Sequence, residues 1–367
     1  MAIFAMTGGG TGGHVMPALA VARELRRRGH ECFFIGTRHG LEAKLVPADG
    51  FPIEWIESGG LKRVGAMRAL RTLAQLPPAV IRVMLLLRRR QPAAVFSTGG
   101  YVAGPVMLAA GWRRLPLVVM EPNAIPGMTN RRAARWVTRA LVNFPEAARF
   151  FRRDRTELTG LPVRDEFFSI PPKPRGQELT VLVTGGSQGS RTLNLSVLGS
   201  VPLFRAAGFP VSFLHQAGAS QYAEISRLAE QAGLPGRVVP FLDDMPAAFA
   251  GADLIVCRAG GTIAEVAAAG KPAILVPLPF AADDHQLRNA ESLAKVGAAR
   301  LVLDKEMNGK RLFEEVTKLA SEPEALERMG EAARRFARPG AAQRAADVME
   351  EVARRPSTVP SVAKQSC

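Results

Sequence analysis

Apolar residues follow two alternating patterns along the chain. Short apolar runs, of which residues 2–6, 31–36 and 179–184 are clear examples, predict β-strands, whereas apolar positions three and four residues apart predict helices. In the segment that follows the first strand, apolar residues recur with helical spacing from Ala18 to Leu25. Because strands and helices alternate, the pattern predicts an α/β protein with parallel, doubly wound sheets.

The order of strand, glycine turn and helix recurs throughout the chain. Further strands are predicted at residues 94–97, 117–120, 211–214, 237–241, 253–257 and 273–276. Residues 160–178 contain four prolines and are predicted to form an interdomain hinge, because the pattern starts again after them. We therefore expect two similar α/β domains, 1–163 and 164–339, that face each other across a cleft. Helical sequence is predicted over residues 323–353, followed by a frayed tail at 354–367.

Composition excludes several protein classes. Of 367 residues, 47% are apolar, which is enough for a core in each of two domains and excludes a disordered or fibrous chain. Cys32, Cys257 and Cys367 are far apart and form no CxxC pair, so we expect neither a disulfide framework nor a zinc site. The sequence shows no export leader and no apolar run of roughly 18 to 20 residues, so a membrane-spanning segment is not expected.

The net charge of +15 is unevenly distributed. Residues 1–164 contain 25 Lys and Arg against 10 Asp and Glu, whereas the rest of the chain contains 23 of each class. Between Glu57 and Glu121 there are ten basic residues and no acidic residue. A one-sided charge of this kind predicts an anionic partner, which is a nucleic acid, an acidic lipid or a phosphorylated substrate.

Residues 65–92 carry part of this basic excess on two predicted helical stripes. The stripe after Pro77 and Pro78 is explained by core packing. The earlier stripe lies among cations and is predicted to form a membrane patch on anionic lipid, with the residues Met67, Arg68, Leu70, Arg71 and Leu73. RNA binding is the rival interpretation, but this segment offers no aromatic residue on which bases could stack. We therefore favour a membrane and expect no nucleic-acid partner.

Glycine-rich turns follow the first strand of each half. The spacing Thr-Gly-Gly-x-x-Gly occurs at residues 7–12 and again at 184–189. Glycines allow backbone N–H groups to approach phosphate oxygens, and the start of a helix adds positive potential. Residues 8–13 also match the GxGxxG pattern of nicotinamide enzymes, but the second strand, which ends at Gly36 before Thr37, supplies no acid for a ribose. Tight turns without a ligand are the alternative interpretation.

Two further positions suggest chemistry. His14 lies at the mouth of the first glycine turn, and histidine has an ordinary pKa that suits a base accepting a hydroxyl proton; a structural role is the alternative. Thr262 and Glu265 have the spacing of a helix-capping box, and Glu265 is equally suited to accept hydrogen bonds from a ribose diol. Asp283 and Asp284 are interpreted as surface acids, because the sequence contains no Asp-x-Asp metal motif.

Eight short motifs in a fixed order span nearly the whole chain. They are GGTGGH (9–14), STGGYVAGP (97–105), EPN (121–123), GLPVR (160–164), TGGSQGS (184–190), FLDDM (241–245), CRAGGTIAE (257–265) and HQLRNA (285–290). As a set they resemble the MurG family, the peripheral-membrane N-acetylglucosaminyltransferases of peptidoglycan synthesis. The resemblance implies a GT-B fold of two Rossmann-like domains, with a last helix, about 340–353, that packs back on the first domain.

The resemblance also implies a reaction. N-acetylglucosamine (GlcNAc) would pass from UDP-GlcNAc, with inversion, to the C4 hydroxyl of undecaprenyl-pyrophosphoryl-MurNAc-pentapeptide (lipid I), which gives lipid II. No metal or other cofactor is implied. The implied partners are UDP-GlcNAc, lipid I and an anionic membrane surface, with other cell-wall synthesis proteins as further candidates. The implied location is the cytoplasmic face of the bacterial inner membrane.

Site residues follow from the matching motifs. The implied donor-binding residues are Thr11, Gly12, Gly13, Asn123, Arg164, Ser187, Leu242, Gly261, Thr262, Glu265 and Gln286. The N-terminal glycine loops would receive the acceptor pyrophosphate at Gly10, Gly99 and Gly100. His14 is the candidate base, with Glu121 as its partner.

The sequence departs from the family pattern at three places, one of which is Gly160-Leu161-Pro162 in place of the more usual Gly-Asn-Pro. Met120 and Pro122 stand where members often carry His and Gln, so those roles are not carried over. The loop 258–265 is one residue shorter than in many members. Two other functions fit the same features: a UDP-sugar transferase of this fold with a different lipid or natural-product acceptor, and a non-catalytic nucleotide-sugar sensor.

Overall fold

The computed structural model describes residues 1–58, 66–174, 176–279 and 284–354, with residues 66–74 described by their backbone only. The chain divides into two compact units. Unit 1 contains Met1–Pro122, Pro126–Thr159 and the chain from Gly340 onward, and unit 2 contains Asn123–Ile125 and Gly160–Pro339. Each unit has its own sheet and its own hydrophobic core.

Unit 1 is built on a parallel sheet. Its described strands are β1 (Ile3–Thr7), β2 (Glu31–Gly36), β3 (Ile53–Trp55), β4 (Ala94–Ser97), β5 (Leu117–Glu121), β6 (Arg139–Val142) and β7 (Thr156–Leu158). They lie in the order β3-β2-β1-β4-β5-β6-β7, and each pairing is parallel. The strand order reverses between β1 and β4, and ligands of open α/β sheets bind at the carboxyl ends of such strands.

Helices cover the sheet of unit 1 between its strands. They are α1 (Gly12–Arg27), α2 (Glu42–Ala48), α3 (Ala66–Arg90), α4 (Ala103–Trp112) and α5 (Met128–Ala133). On α1, the stripe predicted from Ala18 to Leu25 is buried. Helix α3 continues through Pro77 and Pro78 without a break. The stripe predicted to be core on its second half is buried at Val80, Val83 and Leu87, which confirms that prediction.

Unit 2 repeats this architecture. Its described strands are β8 (Leu179–Thr184), β9 (Val211–Gln216), β10 (Gly236–Val239), β11 (Leu254–Cys257), β12 (Ala273–Leu275) and β13 (Arg300–Leu301). Its helices are α6 (Asp165–Phe168), α7 (Arg191–Ala206), α8 (Tyr222–Ala232), α9 (Met245–Gly251), α10 (Thr262–Ala269), α11 (His285–Lys295), α12 (Gly309–Ser321) and α13 (Pro323–Phe336). The parallel order β10-β9-β8-β11-β12-β13 reverses between β8 and β11. The predicted α/β class with parallel sheets is thereby confirmed.

The proline-rich segment 160–178 packs into unit 2 and differs from the predicted hinge. Phe167 is fully buried, and its ring meets Phe249 edge-on with centroids 5.1 Å apart. Lys173 forms an ion pair with Asp253 at 2.7 Å. Prolines predict interruptions of regular structure, but they do not show that an aromatic residue and a cation of this segment have partners in the folded unit.

The chain returns to unit 1 with its last described helix, α14 (Ala341–Arg354). This helix packs against α1, where Arg28 donates hydrogen bonds to Asp347 at 2.6 Å and Glu350 at 3.4 Å. The helical sequence predicted over residues 323–353 is therefore two helices. They are separated at Pro339, which lacks an N–H donor, and at Gly340, whose φ is +76°.

Sequence patterns predicted nine of the described strands and missed β3, β6, β7 and β13. The missed strands have two to four residues, which is too few for an alternating pattern to be decisive. Within the described ranges, we find no helix with the length and apolar character that a bilayer crossing requires.

Candidate active site

Two glycine-rich loops leave the sheet of unit 1 side by side. One follows β1 at Thr7, the other follows β4 at Ser97, and these two residues are partners in the parallel pairing. Gly10, Gly99 and Gly100 have φ angles of +90°, +93° and +88°, which lie in the left-handed region that favours glycine. The three predicted acceptor glycines therefore occupy one edge of the sheet, at its topological switch point.

His14 joins these two loops. Its ring Nδ1 lies 2.8 Å from the carbonyl oxygen of Thr98, and the Thr98 hydroxyl donates to the His14 carbonyl oxygen at 2.7 Å. A carbonyl oxygen can only accept, so Nδ1 carries the proton of this hydrogen bond. In the neutral ring the basic lone pair is then on Nε2. The side chain is partly exposed, so the geometry suits a base whose orientation is fixed by the backbone.

The first glycine loop contains an acceptor that sequence reasoning missed. The N–H of Gly10 donates to the Glu42 carboxylate at 2.9 Å, so this group already has an anionic partner. The Gly10 N–H is therefore satisfied within unit 1, and the role of this loop in receiving the acceptor pyrophosphate stays a prediction. Thr11 is exposed at the start of α1, and Gly12 and Gly13 form the first residues of that helix, where N–H groups have no acceptor within a helix.

Glu121 ends β5 and is 1% exposed. Its carboxylate accepts hydrogen bonds from the side-chain amide of Asn130 at 2.8 Å and from the Gly127 N–H at 3.2 Å. Asn130 in turn packs against Gly99, where a Cβ would lie 3.1 Å from the amide nitrogen. These hydrogen bonds show that Glu121 supports the neighbouring loops, and its predicted role as partner of His14 stays a prediction.

In unit 2, a glycine loop connects β8 to α7. Ser187 is exposed at its tip, and Ser190 caps α7 by accepting the Leu193 N–H at 3.3 Å. Gln216 donates from its side chain to the Gly186 carbonyl oxygen at 3.1 Å. The loop is thus fixed at both ends and open in the middle, next to the amino end of a helix, as expected for a phosphate-binding turn.

A buried arginine lies under this loop. Arg258 follows β11 and donates to the Ser190 hydroxyl at 2.6 Å, to Asp304 at 2.5 Å and to the carbonyl oxygens of Val276 and Pro277. It therefore ties together the turns after β8, β11 and β12. The signal available in the sequence was a cation directly after an apolar strand, and sequence reasoning did not interpret it.

Glu265 lies on the first turn of α10. That helix begins at Thr262 and its start has no side-chain cap, so the capping-box interpretation of Thr262 and Glu265 is wrong. Burial raises the pKa of Glu265 to about 7, and the nearby Arg164 guanidinium lowers it. The predicted donor residues Arg164 and Glu265 thus lie within electrostatic reach, and Gly261 is exposed beside them.

Asn289, which was not predicted as a site residue, contacts the predicted residue Asn123 and two backbone groups. Its amide donates to the Asn123 side chain at 3.1 Å and to the Ala259 carbonyl oxygen at 3.2 Å, and its oxygen accepts the Ala124 N–H at 2.9 Å. Gln286, one turn earlier on α11, accepts the N–H of Leu278 at 2.9 Å. Its Nε2 lies 3.7 Å from where a Cβ on Gly260 would be, which places Gln286 beside the turn after β11.

The remaining donor prediction is Leu242. It follows β10, near the carboxyl end of the sheet, and its side chain is 7% exposed. A contact between Leu242 and a base would therefore use its backbone. Asp283, interpreted as a surface acid, lies outside the described residues; Asp284 is exposed.

The surface of α3 presents apolar residues next to cations. The predicted membrane residues Met67, Arg68, Leu70, Arg71 and Leu73 lie on the part of α3 whose side chains are outside the described residues. Farther along the same helix, Ile81 and Leu85 are 57% and 62% exposed. They line an open groove of about 460 Å³ together with Arg82 and Arg89. Sequence reasoning missed this face because it interpreted only the core stripe of this half of the helix, at Val80, Val83, Met84 and Leu87.

Comparison with known proteins identifies both units. Residues 4–142 match the model of the glycosyltransferase family 28 N-terminal domain, and residues 180–352 match that of the C-terminal domain. A UDP-N-acetylglucosamine–N-acetylmuramyl-(pentapeptide) pyrophosphoryl-undecaprenol N-acetylglucosamine transferase from Solibacter usitatus is 62% identical over 354 residues, covering 96% of this chain and 97% of that relative. The chain belongs to the MurG family.

Other members of the MurG family support this assignment. A transferase of the same name from Anaeromyxobacter dehalogenans is 44% identical, covering 95% of this chain and 93% of that relative. The crystal structure of MurG from Acinetobacter baumannii superposes with a TM-score of 0.81 at 33% identity, and it covers 96% of this chain and 100% of that structure. The expected GT-B glycosyltransferase fold is therefore confirmed.

Proposed function

We propose that this chain transfers GlcNAc from UDP-GlcNAc to the C4 hydroxyl of lipid I and so forms lipid II for peptidoglycan. The observation that carries the proposal is the 62% identity, over nearly the full length, to a transferase whose name states this reaction. Both units carry glycine loops at the switch points of their sheets, as binding of two phosphate-containing substrates requires.

The donor site is proposed for unit 2. Ser187 and the start of α7 would contact the diphosphate, Glu265 the ribose hydroxyls, Leu242 the uracil and Gln286 the sugar. Arg164, near Glu265, would offset the charge that develops on the leaving UDP. Asn123, Thr262 and Gly261 complete the proposed donor contacts of this unit; the donor roles of Thr11, Gly12 and Gly13 stay predictions from the family resemblance.

The acceptor site and the base are proposed for unit 1. His14 Nε2 would accept the proton of the acceptor hydroxyl as its oxygen attacks the anomeric carbon, and the bond to the UDP oxygen breaks from the opposite side. One base is sufficient for a single inverting displacement. The hydrogen bond from Nδ1 to the Thr98 carbonyl oxygen leaves Nε2 as the basic nitrogen of the neutral ring. The same hydrogen bond stabilises the imidazolium that forms.

Membrane contact is proposed for α3, at the cytoplasmic face of the inner membrane. Ile81 and Leu85 are exposed beside Arg82 and Arg89, a combination that favours an interface with anionic lipid. Trp112, at the end of α4, is 63% exposed and is followed by two arginines, so it offers a second apolar group among cations. The excess positive charge of residues 1–164 is the reason for assigning this role to unit 1.

The experiment is transfer by the purified full chain from UDP-GlcNAc to a lipid I analogue, with product detected by mass and released UDP measured separately. We expect turnover in the presence of EDTA. Turnover of another acceptor, with none of lipid I, would support the alternative of a different UDP-sugar transferase. Tight UDP-GlcNAc binding without transfer to any acceptor would support the sensor alternative.

A further inference from the structure

The first glycine loop of unit 1 contacts a carboxylate to which the proposed reaction assigns no role. Glu42 begins α2, and its side chain is 1% exposed. One carboxylate oxygen accepts the Gly10 N–H at 2.9 Å. The other accepts the N–H of Thr37 at 3.2 Å and the Thr37 hydroxyl at 2.8 Å. Three donors from two different loops therefore converge on one buried anion.

The hydrogen bonds continue from Glu42 to the second glycine loop. A carboxylate accepts and cannot donate, so the hydroxyl proton of Thr37 points to Glu42. The hydroxyl of Tyr101 lies 3.2 Å from Thr37 Oγ1 and must therefore donate to it. Burial raises the pKa of the Tyr101 phenol, the hydrogen bond to Thr37 lowers it, and the negative charge of Glu42 raises it further. The carboxylate is thus linked to both loops.

Close packing fixes the position of Glu42 as well. A Cβ added at Gly9, Gly36 or Gly40 would lie within 3 Å of side-chain atoms of Glu42. On the other side, a Cβ added at Gly10 would lie 2.8 Å from the ring of Tyr101. The carboxylate therefore has no room to turn away from its three donors without moving the backbone of the loops.

We propose that Glu42 is a positioning residue that holds the two glycine loops in one arrangement for the acceptor pyrophosphate. The inference rests on the proposed function, since that function makes these loops the acceptor site. Glu42 takes the Gly10 N–H for itself and anchors the turn from which α1 and His14 begin. Because the Gly10 N–H is held by Glu42 and the Gly99 N–H by the Ser97 hydroxyl, the acceptor anion would be received by the second loop at Gly100.

The test is the isosteric substitution Glu42→Gln, with KM measured separately for the lipid I analogue and for UDP-GlcNAc. A glutamine replaces one carboxylate oxygen by an NH2 group, which cannot accept a hydrogen bond. The side chain therefore loses its hydrogen bond either to Gly10 or to Thr37. We expect KM for the acceptor to rise roughly tenfold, as for a buried donor left unsatisfied, and KM for UDP-GlcNAc to stay within about twofold.

Glu24→Gln is the matched control. Glu24 is another buried carboxylate of unit 1, but its partners are Arg27 at the end of the same helix and Arg28, which follows that helix directly. We expect this variant to lose stability without a change in either KM. Equal rises in both KM values for Glu42→Gln, or the same acceptor defect in Glu24→Gln, would overturn the proposal.

Thr37→Val provides a second variant that keeps Glu42 and removes the link to Tyr101. We expect it to raise the acceptor KM, and the double variant with Glu42→Gln to raise it no further. Additive effects would overturn the proposed link.

Hydrogen exchange without substrate separates this inference from the proposed reaction. In Glu42→Gln we expect faster amide exchange in both residues 7–13 and residues 98–102, whatever acceptor the enzyme uses. Faster exchange in the first loop alone would show that Glu42 does not hold the second, and the proposal would fail.

Discussion

At the scale of single residues, two ionisable groups determine what the site can do. Glu265 supplies the carboxyl group of the proposed donor site, and burial raises the pKa of this group to about 7. His14 has its tautomer set by a backbone carbonyl. One group is proposed to hold the donor and the other to activate the acceptor, so substitutions of the two should have different kinetic signatures.

For Glu265→Gln we expect weaker UDP binding, by roughly one to two powers of ten, together with a gain in stability. The folded-state pKa lies above the ordinary value of 4.5, so wild-type stability falls as pH rises from 4.5 through 7, and the variant lacks this loss. The advantage of the variant should therefore grow between pH 5 and pH 8, to no more than about 3 kcal/mol. Calorimetric titration with UDP and urea unfolding at both pH values measure the two effects. A stability difference independent of pH would contradict the buried carboxyl.

For His14→Ala we expect turnover to fall by about 10² to 10⁴, with UDP-GlcNAc affinity little changed. The reason is that the imidazole is proposed to contact only the acceptor hydroxyl. His39→Ala is the control, because His39 is an exposed histidine of the same unit. Single-turnover rates and donor titration measure the two quantities. An unaltered rate would remove His14 from the mechanism.

At the scale of elements, the amino end of helix α7 depends on a contact from a residue that follows another strand. Ser190 caps the helix, as its β-region backbone and hydroxyl predict, but it also accepts a hydrogen bond from Arg258, which follows β11. The first role is local in sequence. The second links the proposed diphosphate loop to the turn that carries Gly261 and Glu265, so the loop and the turn should respond together.

We therefore expect Ser190→Ala to cost about 1 kcal/mol of stability, as the loss of a cap does, and also to weaken UDP binding. Asn308→Ala is the control, because Asn308 caps α12 in the same unit by accepting the Arg311 N–H at 3.0 Å. The Asn308→Ala variant should lose about as much stability as Ser190→Ala and should bind UDP with unchanged affinity. Equal UDP affinity in both variants would contradict the role of Arg258 and Ser190 in shaping the loop.

At the scale of the whole molecule, charge and exposed apolar surface both point to unit 1. The basic excess lies in residues 1–164, whereas the remainder of the chain is balanced. The predicted membrane stripe at Met67 and Leu70 stays a prediction, because those side chains lie outside the described part. Ile81 and Leu85 supply an exposed apolar face that the structure does describe.

The double variant Ile81→Asp with Leu85→Asp should bind anionic vesicles at least about tenfold more weakly. Two apolar side chains that would be buried in the lipid are removed, and two negative charges that the lipid repels are added. Leu195→Asp, on α7 of unit 2, is the control; Leu195 is 45% exposed. Vesicle sedimentation at low and high salt measures the binding. Binding that does not depend on salt would contradict a contact with anionic lipid. Binding that survives the double variant but is lost in the variant Met67→Asp with Leu70→Asp would assign the contact to the earlier stripe.

Sequence alone determined the order of elements, because strand and helix periodicity and turn chemistry extend over only a few residues. The strands at 31–36, 94–97 and 179–184 were predicted to the residue. The glycine turns and the candidate His14 were predicted in the same way, although their roles came from the family resemblance.

Tertiary structure decided which groups meet. Gly10 finds Glu42 across 32 residues, and His14 finds Thr98 across 84, because the sheet order places β2 and β4 on either side of β1. No local pattern encodes that neighbourhood. Burial is likewise decided by packing: it encloses the Glu121 side chain, raises the pKa of Glu265 and leaves Ile81 exposed on a helix whose other face is core.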